Sequence, residues 1–78
     1  MLLIFAKTEW IMSNFGSNIK KIRSLKNYTQ QHLADILGLT RAAVSSYEEG
    51  RAEPKIETLT RASQIFGVSV DDFINKKL

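Results

Sequence analysis

Seventy-eight residues with a net charge of +3 and no cysteine make one small domain without disulfides or thiolate metal sites. The single histidine cannot build a histidine cluster, so neither a metal nor another cofactor is expected. The mildly basic balance favours an acidic partner such as nucleic acid only slightly; where the charges sit matters more.

Residues 1–12 stand apart from the rest. The run Leu2-Leu3-Ile4-Phe5-Ala6 is interrupted by Lys7 and Glu9; it is too short to cross a bilayer and lacks the leader and cleavage site of a secretory signal. A cytoplasmic protein is expected. This apolar extension, with Trp10, reads either as a poorly ordered leader or as an arm that packs on the domain or on a second subunit. Met12 offers an alternative start of translation, because residues 13–78 read as a complete domain.

A first helix is predicted from about Asn14 to Lys26, with Ser13 as its N-cap. Phe15, Ile19, Ile22 and Leu25 or Lys26 recur at helical spacing and leave Lys20, Lys21 and Ser24 outside; Asn27-Tyr28 breaks the run. Thr29 caps a second helix whose buried side is Leu33, Ala34, Ile36 and Leu37, and Gly38 is the left-handed stop. Leu39 plugs the corner. Thr40 caps a third helix, about Arg41 to Glu49, with Val44 and Tyr47 inward and Ala43 small enough for a close helix approach.

Past Gly50, a loop around Pro54 leads to a fourth helix from about Ile56 to Phe66. Ile56, Leu59, Ala62, Ser63 and Phe66 share one face of it. Gly67-Val68 turns the chain and Ser69 caps a fifth helix, with Asp72 in a capping-box position and Val70, Phe73, Ile74 and Leu78 apolar. Apart from the N-terminal extension, no segment alternates at the strand period. The fold expected is all-α, five short helices.

Several short motifs now fall in one order: Ile19-Lys20-Lys21-Ile22-Arg23, Thr29-Gln30-Gln31-His32-Leu33-Ala34, Gly38-Leu39-Thr40, and Val44-Ser45-Ser46-Tyr47-Glu48-Glu49-Gly50. Pro54, Leu59 and Phe66-Gly67-Val68-Ser69-Val70-Asp71-Asp72-Phe73 complete the series. Together they resemble the phage-repressor and Cro-type helix-turn-helix domain of the xenobiotic-response-element family, over Ser13 to Lys77. The resemblance implies a compact lambda-repressor-like domain that binds double-stranded DNA, with the helix from Arg41 as recognition helix. Position by position, it implies that Thr40, Arg41, Ala42, Ser45 and Ser46 read bases and that Gln30 bonds a phosphate and braces the recognition helix. It also implies a structural ion pair between Arg23 and Glu48. Ala42 departs from relatives that carry glutamine there, so an amide contact to adenine is missing.

The residues themselves lead the same way. With Val44 and Tyr47 buried, Arg41, Ala42, Ser45 and Glu49 face outward and Ser46 lies on a flank. The planar fork of Arg41 matches O6 and N7 of guanine, Ala42 or Ala43 fits a thymine methyl, and the two serines donate or accept. Phosphate anchoring is expected from Gln30, Arg51 and Lys55, with Lys20 and Arg61 as further candidates, and from helix N-termini. His32 reads as a plain surface residue. Ser45 and Ser46 have no histidine and aspartate to activate them, and no paired carboxylates or glycine-rich phosphate loop occur, so an enzyme is not expected.

The expectation is therefore a sequence-specific transcriptional regulator, homodimeric on a pseudo-palindromic operator, pairing through Ile65, Val70, Ile74 and Leu78. Without a sensor in the sequence, control is expected from abundance, self-repression or a partner. Stand-alone phage repressors, restriction-modification controller proteins and antitoxins all have this size. The alternative is a partner-binding module of the same fold, antitoxin-like, with weak or no DNA binding; acidic Glu49 and Glu53 beside the surface favour it.

Overall fold

A computed structural model describes residues 13–78. The extension assigned to residues 1–12, with its alternative roles, lies outside the described residues. Five helices follow in order: α1 (Phe15–Leu25), α2 (Gln30–Leu37), α3 (Arg41–Glu48), α4 (Ile56–Phe66) and α5 (Val70–Asn75). Among the described residues there is no strand.

The caps fix these boundaries. Thr29 Oγ1 accepts from His32 N at 3.0 Å, Thr40 Oγ1 from Ala43 N at 3.1 Å, and Ser69 Oγ from Asp72 N at 3.0 Å, each satisfying an amide the helix leaves free. Asp72 does not return the bond to complete a capping box; its carboxylate pairs with Lys76 at 3.5 Å. Gly38 stops α2 with φ 69°, in the left-handed region that a side chain disfavours. Asn27, at φ 57°, breaks the chain after α1 as expected.

At the start of α1 the expectation needs correction. Asn14, not Ser13, stands at the N-cap, without a side-chain cap bond. Ser13 Oγ instead accepts from Phe15 N at 3.3 Å and donates to the Glu53 carboxylate, tying the helix start to the loop before α4.

Phe15, Ile19, Leu33, Ala34, Leu37, Val44, Leu59, Ala62 and Phe73 form one continuous core. Phe15 is its hub, edge-on to Tyr47 at 5.7 Å and tilted against Phe73 at 5.5 Å between ring centroids. Two residues expected inside are outside. Leu25, the last residue of α1, is 74% exposed, because it extends past the elements covering Ile19. Ile56 is 67% exposed, a quarter turn from the Leu59–Ala62–Phe66 stripe that α4 presents inward.

A close helix approach falls at Gly16. A β-carbon on Gly16 would overlap the carbonyl oxygen of Tyr47, so α1 and α3 meet backbone to backbone there. Further along the helix, Asn18 is buried within the apolar face of α1. Its Nδ2 donates to the carbonyls of Phe73 (2.9 Å) and Lys76 (2.8 Å), and its Oδ1 accepts from Leu78 N (3.0 Å). Asn14 N donates to Ile74 O at 2.9 Å beside it. A single amide thus latches the C-terminal segment to α1.

Gly16→Ala separates two roles for the glycine. In an open helix the change stabilises by up to about 1 kcal/mol; here overpacking should cost about 1–3 kcal/mol, seen as a lower urea midpoint. Asn18→Ala, which orphans three backbone groups, should lose on the order of 1–3 kcal/mol in the same measurement.

Candidate nucleic-acid interface

The buried end of α3 explains how its exposed face is held. Glu48 closes the helix with its side chain only 2% exposed, facing an Arg23 side chain that is 19% exposed. The contact is a two-pronged fork: Arg23 Nε donates to Oε2 at 2.8 Å and Nη2 to Oε1 at 3.0 Å. Arg23 Nη1 also donates to Tyr28 O at 3.1 Å. The carboxylate raises the pKa of Arg23 further, against a smaller opposing effect of burial. Gln30, first residue of α2, donates its Nε2 to Glu48 Oε1 at 3.2 Å. Glu48 therefore joins α1 and α2 to α3 at one point, and Arg23 carries the link on to the turn after α1.

With Val44 buried and Tyr47 half-buried, the opposite face of α3 is open. Thr40, Arg41 and Ala42 are exposed, while Ser45 and Ser46 are half-buried. Arg41 is the long cation at the start of a ridge otherwise made of short side chains. Ser45 is already engaged: its hydroxyl donates to Glu49 Oε2 at 2.8 Å, and Glu49 Oε1 forms an ion pair with Arg51 Nε at 3.1 Å. These bonds, the Ser45 hydroxyl first and then Arg51, hold the Glu49 carboxyl below its ordinary pKa, with Lys20 adding to the effect.

The expected phosphate ligands surround this ridge unevenly. Gln30 is half-buried against Glu48 at the end of α3, and Arg51 and Lys55 are exposed on the chain leading to α4. Lys55 stands at the N-cap of α4, where no side chain bonds the free amides. Lys20 is exposed on α1. Arg61 is placed differently: its Nη1 donates to Leu37 O at 3.2 Å, completing the C-terminal end of α2 next to Gly38. His32, expected to be idle, has its ring 4.3 Å from that of Tyr28.

Of the residues expected to pair subunits, Ile65 is exposed, whereas Val70, Ile74 and Leu78 are half-buried and pack on the chain's own core. Leu78 also lines an apolar groove with Ile22, Leu25, Phe66 and Val68. Among the described residues no group of side chains could hold a metal ion, and no helix is long and apolar enough to cross a membrane.

Sequence reasoning missed Gly16, Asn18 and the role of Glu49. A glycine inside a helical stripe and a polar residue three positions after Phe15 were the signals for the first two. The Glu49 contacts had the i, i+4 spacing from Ser45 as their signal.

A capped α2, a left-handed glycine and a capped α3 whose outer face is free define a helix-turn-helix protein. The helix-turn-helix family model matches residues 19–73, and the chain belongs to that family. It is 53% identical over 57 residues to the SPbeta prophage-derived uncharacterized HTH-type transcriptional regulator YonR of Bacillus subtilis, covering 73% of this chain and 53% of that one. It is 49% identical, over 73% of this chain and 49% of the relative, to the uncharacterized HTH-type transcriptional regulator YqaE of the same species. A transcriptional regulator from Listeria innocua superposes with a TM-score of 0.75 at 25% identity, covering 82% of this chain and 60% of that one. The chain thus spans about half the length of the two Bacillus relatives. The resemblance to Cro-type phage repressor domains holds, with a prophage-derived protein among the relatives.

Removing the carboxylate at the junction tests its weight. Glu48→Ala strands Arg23 in a largely buried site and should cost about 3–5 kcal/mol in denaturant unfolding. Gln30→Ala, which removes only the outer brace, should cost about 1 kcal/mol.

Proposed function

We propose that this chain is a sequence-specific DNA-binding transcriptional regulator that inserts α3 into the major groove. The observation that carries the reading is the ridge from Thr40 to Ser46. It is free of bulky side chains apart from Arg41, and its helix is fixed from behind through buried Glu48. Relatives named as HTH-type transcriptional regulators support it. Arg41 bonds a guanine edge through its fork, Ala42 meets a thymine methyl, and Thr40, Ser45 and Ser46 supply hydroxyls to bases. Gln30, Arg51, Lys55 and the amide end of α4 hold phosphates and set the register.

One such helix contacts few base pairs, so the protein works as a homodimer on a pseudo-palindromic operator, with half-sites about 10 bp apart. The exposed Ile65 and the groove at Leu78 and Leu25 are apolar surface that can serve for pairing, and the half-buried Val70 and Ile74 add to it. A regulator of this kind works in the cytoplasm and is a binding protein rather than an enzyme.

A second reading draws on Glu49, whose charge sits on the ridge: a partner-binding module of the same fold with weak DNA affinity. Salt separates the two. Selective binding to a sequence recovered from a random DNA library, weakening steeply as salt rises, supports the regulator; no selected sequence supports the module.

Arg41→Ala should cost about 1–3 kcal/mol on the selected sequence and relax the preference at one base pair. Lys55→Ala should weaken all sequences alike and make the salt slope shallower by about 0.9. Sedimentation should give a dimer at micromolar concentration, and Ile65→Glu with Leu25→Glu a folded monomer.

A further inference from the structure

The ridge carries a feature that an anion-binding surface would not be built with by charge alone. Glu49, the C-cap residue that follows α3, lies one turn beyond Ser45 and two beyond Ala42, in line with the outward stripe. Its Oε2 accepts from the Ser45 hydroxyl at 2.8 Å, and its Oε1 forms an ion pair with Arg51 Nε at 3.1 Å. Both members of the ion pair are more than half exposed, at 59% for Arg51 and 57% for Glu49, so the pair adds little to stability. Its cost to binding is another matter. Glu49 places a negative charge beside the surface proposed for DNA and pairs with one nitrogen of the neighbouring guanidinium. The same contacts keep the acid below its ordinary pKa.

Resting on the DNA-binding reading above, we propose that Glu49 is a specificity-determining residue, a charge filter that withholds Arg51 from DNA met without the right bases. A duplex held only by its phosphates must compete with Glu49 for Arg51 and so gains less from it, and it is repelled by the carboxylate. When α3 seats on its sequence, the base contacts fix a phosphate beside Arg51 at high effective concentration, where it displaces Glu49. Specific binding thus gains more from this contact than non-specific binding does. Glu49 acts through Arg51 and Ser45; it is a positioning residue, and it raises the ratio of specific to non-specific affinity by lowering the latter.

The experiment uses the full chain, a duplex of the selected sequence and a duplex of scrambled sequence, each titrated at several salt concentrations. Glu49→Gln keeps the shape and removes the charge. The melting temperature should stay within about one or two degrees of the wild type. The non-specific salt slope should steepen by about 0.9, as expected when Arg51 neutralises one further phosphate. The variant's non-specific advantage over wild type should then be about threefold larger at about 50 mM than at about 200 mM salt, while affinity for the selected duplex rises less. Arg51→Gln should weaken non-specific binding less in the wild type than in the Glu49→Gln background, where it should cancel most of the increase. If Arg51→Gln weakens non-specific binding equally in both backgrounds, Arg51 is not withheld and the filter is wrong, even though the protein binds DNA. If the wild type distinguishes no sequence at all, the regulator reading itself fails and takes the filter with it.

Discussion

The contact of Arg23 and Gln30 with the carboxylate of Glu48 is the constraint on which the remaining geometry depends. Helices of eight residues, such as α2 and α3, are too short to be stable alone, and their relative orientation needs something more directional than apolar burial. A two-pronged bond between a guanidinium and a carboxylate has a fixed plane and fixed distances. Burying it carries a desolvation penalty, so its contribution is to geometry more than to net stability. Glu48 faces inward at the end of α3; the face that remains outward is thereby settled. The backbone contact at Gly16 reinforces this, because α1 and α3 approach there with no side chain between them.

From that junction outward, the molecule is layered by chemistry. Phe15, Val44 and Phe73 fill the centre. Satisfied polar groups then tie secondary elements together: Asn18 to the C-terminal segment, Arg61 to the end of α2, Ser13 to Glu53. The outermost layer holds the ridge of α3 and its neighbouring cations. Specificity for a nucleotide edge needs side chains whose positions are settled before contact, and the inner two layers provide that order. Glu49 and Arg51 belong to the outer layer alone, so changing them should leave the fold intact.

Much of this was legible in the sequence because it depends on local chemistry. Thr29, Thr40 and Ser69 announce helix starts by the hydroxyl each can offer to a free amide, and Gly38 announces a stop by the conformation it tolerates. The helical spacing of Leu33, Ala34 and Leu37, together with Val44 on the next helix, marked the buried faces. What was not legible depends on distant partners. Nothing near Asn18 in the chain says that carbonyls at Phe73 and Lys76 will meet its amide. Leu25 and Ile56 have the composition of core residues, and only the ends and angles of neighbouring helices leave them exposed. Arg61 looked like a free cation until the end of α2 was placed beside it. The assignments of bases, phosphates and the pairing surface rest on position in the family and on exposure.

The most direct test of the central claim, that the outer face of α3 meets the edges of bases, is a nuclear magnetic resonance titration of the labelled protein with its selected duplex. The largest shifts should fall on the amides from Thr40 to Ser46 and on the Arg41 and Gln30 side chains, with the Arg23 guanidinium resonances nearly unmoved. Shifts confined to α5 and the groove at Leu25, with α3 unperturbed, would contradict the account.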